Sequence, residues 1–149
     1  MSKNFYKMTL TEKQKWVTEF INKNVSENEM ESIPVKLSNR MTSTIGQFTF
    51  KLRYNENMER VKDKAKEFKI SNKMLKEGTL TSIKDTLLHE VAHYLTDFKY
   101  YPNELNHHNK NFKKVCKMLN CDGMSQAKDY RRIKKMIKTE IELKNILTE

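Results

Sequence analysis

The chain has 149 residues, 37% of them apolar and 32% charged, with 29 lysines and arginines against 19 acids for a net charge of +10. That length suits one domain with a modest core, and the charge favours polyanionic partners. No segment has the ~18 apolar residues of a membrane span, none at the N-terminus resembles a signal peptide, and two cysteines are too few for a disulfide framework; a cytoplasmic location is expected.

The first element is announced by "TLTEKQKWVTEFINKN". Thr9 with Glu12 forms a capping box, and Trp16, Val17, Phe20 and Ile21 recur at helical spacing. A helix over about Leu10 to Lys23 is expected, with Trp16 as a core anchor. "VSENEMESIP" reads as a loop and is followed by "VKLSNRM". In "IGQFTFKLRY", Phe48, Phe50 and Leu52 alternate with polar residues, the mark of a half-buried strand. The lysine-rich "NENMERVKDKAK" reads as a turn or a short helix, and "EFKIS" as a short third strand. "TLTSIKDTLLHEVAHYLTDF" carries the strongest helical stripe, Ile83, Leu87, Leu88, Val91, Ala92 and Leu95, with Thr81 or Ser82 as cap. A further helix in "HHNKNFKKVCKML" should turn Phe112, Val115 and Leu119 inward. "AKDYRRIKKMIKTEIELKNIL" should form a long basic C-terminal helix over about 126–147.

Within the strongest helix, His89 and His93 are four residues apart. Such residues are neighbours on a helix, so two imidazoles can reach one ion. They fall roughly opposite the apolar stripe, which predicts a stripe packed on the body and ligands looking into a cleft. Glu90 points about 100° away from His89 and suits a base rather than a ligand. This is the H-E-x-x-H arrangement of zinc-assisted hydrolysis. A catalytic zinc needs a third protein ligand. Thr96 and Lys99 stand where one common continuation of the pattern would put glycine and histidine. A glutamate third ligand would have to be Glu104 or a distant C-terminal acid, whereas His107 and His108 are better placed. Tyr100 and Tyr101 are candidates to assist the oxyanion, and Asp85 and Asp97 to orient the imidazoles.

Taken together, "TLLHEVAHYL", a spacer and then "HNKNF" resemble the SprT-like metalloprotease family, which includes the Spartan proteases of DNA–protein crosslinks. His108 matches the family's third histidine and Phe112 its aromatic, with His107 one position off. "NRMTSTIGQF" is similar to the family's N-R-x-x-x-x-x-G segment, and "KISNKML" to its strand ending in serine before a helix. The likeness runs from about Pro34 to Leu119. It departs at Asn109, where relatives have glycine and where asparagine would tolerate a left-handed turn. It departs also at Cys116 and Cys121, which cannot supply a C-terminal zinc ribbon.

The resemblance implies a single zincin-like α+β domain spanning the chain. Its small, mainly antiparallel sheet of about three strands would pack against helices that include the H-E-x-x-H helix. It implies one Zn2+ on His89, His93 and His108, with Glu90 as catalytic base, in a monomeric peptidase acting on protein substrates. Between Lys110 and Lys138 ten basic residues face two acids, Asp122 and Asp129. Lys110, Lys113, Lys114, Lys117, Arg131, Arg132, Lys134 and Lys135 are the candidate nucleic-acid contacts. The competing reading is a non-catalytic nucleic-acid-binding or interaction protein with a structural zinc. A structural site has no use for Glu90.

Overall fold

A computed structural model describes residues 4–41, 44–104 and 109–121. A short 3-10 turn, Phe5–Lys7, leads into helix α1, Leu10–Glu27. The capping box forms as expected: Thr9 Oγ1 accepts from the Glu12 amide at 3.1 Å, and Glu12 Oε1 from the Thr9 amide at 3.1 Å. A cap of this kind stabilises a helix by about 1 kcal/mol. The helix runs one turn beyond the expected end at Lys23 because Val25 is buried in the core. Trp16 is half-buried, stacked on Phe20 and edge-on to Phe5, both with centroids 5.1 Å away.

Three strands follow: β1, Val35–Ser38, β2, Gly46–Tyr54, and β3, Arg60–Ser71. β3 lies between the other two, antiparallel to β2 and parallel to β1. The sheet is therefore mixed, and mainly antiparallel as expected, since the β2–β3 pairing is the longer of the two. Val35, Leu37, Phe48, Phe68 and Ile70 share its inner face, where Phe48 also stacks on Tyr94 at 5.4 Å. Phe48 thus packs on the core, and half-buried Phe50 meets it at 5.9 Å and Phe98 at 5.7 Å.

The segment expected as a turn or short helix is mostly strand. Only Asn55–Glu59 turn, closed by the Asn55 carboxamide accepting from the amides of Asn57 and Glu59. From Arg60 the chain is extended for twelve residues. Two register shifts, between Thr49 and Phe50 and between Lys51 and Leu52, break the two-residue alternation on which a strand is recognised. They also leave Leu52 exposed, against expectation.

Ser71 then caps a short helix α2, Asn72–Glu77, and Thr79 caps helix α3, Leu80–Leu95. The cap is Thr79, not Thr81 or Ser82. Ser82 is instead the third helical residue and closes the box, its Oγ accepting from the Thr79 amide at 3.1 Å. Ile83, Leu87, Val91, Ala92 and Leu95 are fully buried, as the stripe requires, whereas Leu88, at its margin, is only half-buried. Each large aliphatic buried this way contributes about 1.5–3 kcal/mol. α3 continues into a single π turn, Thr96–Tyr100, closed by the Tyr101 amide donating to Thr96 O at 2.8 Å. Helix α4, Lys110–Leu119, packs its buried Phe112, Val115 and Cys116 against the core. Cys116 and Cys121 are not joined by a disulfide. The long C-terminal helix expected over 126–147 lies outside the described residues.

Candidate active site

α3 carries His89, Glu90 and His93 on one side, and all three are buried, with 3%, 1% and 7% of their surface exposed. Their donor atoms all lie within 4.8 Å of one another. The imidazole rings sit 4.9 Å apart, the neighbour spacing that a separation of four residues provides on a helix. Two imidazoles and a carboxylate gathered at this range suit a divalent ion of the zinc type, so His89 and His93 fit as ligands.

The expectation of histidines looking out into a cleft does not hold. That side of α3 is covered by two other elements. From α4, Phe112 stacks on the His93 ring at 4.1 Å and meets His89 edge-on at 5.0 Å. From β2, Gly46 lies against Glu90. A Cβ at position 46 would stand 3.0 Å from Glu90 Cγ and 3.2 Å from Oε2. Gly46 has no left-handed backbone to justify a glycine, so the close approach of the carboxylate is the reason for it. Gly46→Ala should therefore leave the strand formed but push the Glu90 carboxylate aside by a few tenths of an ångström. If Glu90 acts in catalysis, kcat should fall on the order of tenfold. Parallel melting curves should show a loss of under about 3 kcal/mol.

The loop that delivers Gly46 is held from β3 and α2. Ser71 Oγ donates to Met41 O at 2.8 Å, and the Ser71 amide to Ile45 O at 3.0 Å. Asn72 Nδ2 donates to Asn39 Oδ1 at 2.8 Å, and Asn72 Oδ1 accepts from Gln14 Nε2 at 2.9 Å. The asparagine and glycine of "NRMTSTIGQF" and the serine of "KISNKML" are thus parts of one device. It anchors the loop, which sets the strand that packs on Glu90.

The other expected residues are placed as follows. Asp97 is buried beside Lys62, whose ammonium donates to Asp97 Oδ1 at 3.0 Å and to the carbonyls of Asp97 and Tyr101 at 3.3 Å each. Asp85 lies on α3, half-buried. Tyr100 is exposed, with the Lys99 ammonium 5.3 Å from its ring centre, and Tyr101 packs on the core. Glu104 places each carboxylate oxygen on an asparagine rather than on the histidine pair, accepting from Asn109 and Asn111. Asn109 is not in a left-handed turn. Its backbone is extended at φ −78°, and its side chain caps α4 by accepting from the Phe112 amide at 2.9 Å. Capping explains asparagine there without any need for glycine. Lys110, Lys113, Lys114 and Lys117 are exposed along α4. His107, His108, Arg131, Arg132, Lys134 and Lys135 lie outside the described residues. What sequence reasoning missed is Lys62 and Phe112's contact with both imidazoles. A lysine in a lysine-rich strand carries no local sign of its burial.

Fold and site together define an α+β protein built around an H-E-x-x-H helix whose imidazoles and carboxylate are enclosed and able to take a metal. The sequence matches the model of the SprT-like family over residues 14–144, and the chain belongs to that family. Searches of the curated proteins and of the solved structures returned no match.

Proposed function

We propose that the protein is a zinc-dependent metallopeptidase. The observation that carries this reading is the buried set of His89, Glu90 and His93, with the glutamate held against Gly46 rather than left to solvent. His89 and His93 would hold the ion, with His108 as third ligand and His107 as the alternative. The choice of His108 rests on its match to the family's third histidine. When bound, zinc supplies a Lewis acid that acidifies water and polarises a scissile carbonyl.

The chain's own groups do the rest. Glu90 takes the proton from the attacking water and returns it to the leaving amine. Phe112 walls both imidazoles with an apolar ring, which strengthens electrostatic interactions beside it. The exposed lysines of α4 lie on the helix that supplies this wall, and they suit substrates associated with DNA.

Metal analysis of the purified protein tests the reading. One zinc per chain is expected, together with cleavage of an unfolded protein substrate that a chelator stops. His89→Ala and His108→Ala should each lose zinc and activity, and His107→Ala should keep both. Activity that survives complete metal removal would refute the proposal. Retention of zinc and activity by His108→Ala, with loss in His107→Ala, would move the third ligand by one position.

A further inference from the structure

Glu104 ends the spacer that follows the π turn, and Asn109 opens α4. The four residues between them include both candidate third ligands. Glu104 Oε2 accepts from Asn109 Nδ2 at 3.1 Å, and Oε1 accepts from Asn111 Nδ2 at 2.7 Å. One carboxylate thus ties the chain before this segment to the first turn of the helix after it. Both partners are themselves fixed. Asn109 caps α4, and Asn111 lies in its first turn. On the upstream side, the Glu104 amide donates to Tyr101 O at 3.2 Å, and the same carbonyl accepts from the buried Lys62 ammonium. Two residues past Asn109 stands the asparagine that completes the clasp, and next to it is Phe112, whose ring lies on His93. The hydrogen bonds from Asn111 and then Asn109 hold the Glu104 carboxyl below the usual carboxylate range, which keeps it an acceptor on both oxygens.

We propose that Glu104 is a positioning residue for the metal centre: with Asn109 and Asn111 it forms a clasp that sets both ends of the segment carrying the third ligand. This rests on the reading that a histidine in that segment completes the site. The physical reason is preorganisation. A ligand on a short segment with fixed ends loses less freedom when it binds than one on an open loop. Charge-assisted bonds to a carboxylate are strong enough to do this at a partly exposed position.

Apparent zinc affinity, measured by competition with a chromophoric chelator, tests the proposal in Glu104→Ala and Asn111→Asp. Both should bind zinc roughly 10–100-fold more weakly, the range seen when the partners of metal ligands are removed. Asn111→Asp replaces a donor with a second carboxylate and breaks the clasp. An acid in the first turn of α4 is favourable for the helix, so this variant separates the clasp from folding. With cobalt in place of zinc, the visible bands of either variant should lose intensity as the third nitrogen is less well held, while the metal-free melting temperature stays near that of the parent. Parental zinc affinity and cobalt spectrum in both variants would overturn the clasp. So would a loss of affinity matched by an equal loss of metal-free stability. The underlying reading fails differently: the parent would take up no stoichiometric metal, or His107→Ala and His108→Ala would both bind it as the parent does.

Discussion

Glu90→Gln is expected to keep one zinc per chain and a near-parental melting temperature while cleavage of an unfolded protein substrate falls at least about 100-fold. A positioned general base contributes roughly 10²–10⁴-fold, and the amide cannot accept the proton. The substitution preserves shape, which matters here. Glu90 is 1% exposed and so close to Gly46 that a single methyl there would touch it. A longer or branched residue would disturb packing, whereas glutamine fills the same space. Replacing a buried carboxylate by a neutral amide also removes the cost of burying charge, so no loss of stability is expected from that source. The experiment separates the two readings of the site. In a structural zinc centre Glu90 has no task, and glutamine would be silent. Zinc content and turnover should be measured on the same preparation, since undiminished cleavage by fully metallated Glu90→Gln would end the peptidase proposal.

Lys62→Met should be strongly destabilising, on a par with truncating a large core side chain. The Lys62 and Asp97 side chains are 3% and 6% exposed, and their atoms approach to 3.0 Å. Breaking such a pair by removing one partner costs about 3–5 kcal/mol, because the remaining charge stays buried. For a chain of this size that is a fall in melting temperature on the order of 10 °C. Lys62→Met with Asp97→Leu should recover much of the loss, since an apolar pair of similar volume replaces the ions. Lys62 also donates to the carbonyls of Asp97 and Tyr101, so it grips the π turn at both ends. Lys62→Met is therefore expected to weaken zinc binding as well, by loosening the spacer that leads to the third ligand. A single variant as stable as the parent would show that water solvates Asp97 once the lysine is gone.

These two residues differ in how visible they are before folding. Glu90 is marked by its neighbours: two histidines four apart, on a helix whose other side is an apolar stripe, leave little else for a glutamate between them to do. Lys62 sits in "RVKDKAKEFK" among lysines that are exposed, and nothing within a few positions distinguishes it. Its partner is 35 residues away.

The amino-acid sequence alone determined the features written in short-range pattern. Thr9 and Glu12 announce the start of α1, Ile83 to Leu95 the buried stripe of α3, and Phe112 and Val115 the inner side of α4. Capping and helical periodicity act over three or four residues, so both halves of each signal lie within one stretch of chain. Tertiary structure decided the rest. It joined β1 to β3 in parallel and drew out β3 through two register shifts that hide its alternation. It closed Phe112 and Gly46 over the side of α3 that looked open, and set Ser71 and Asn72 on a loop some 30 residues earlier. Each of these depends on partners that meet only when the chain folds back on itself. A residue's type and spacing tell what it can bind, but burial and approach are properties of the assembled neighbours.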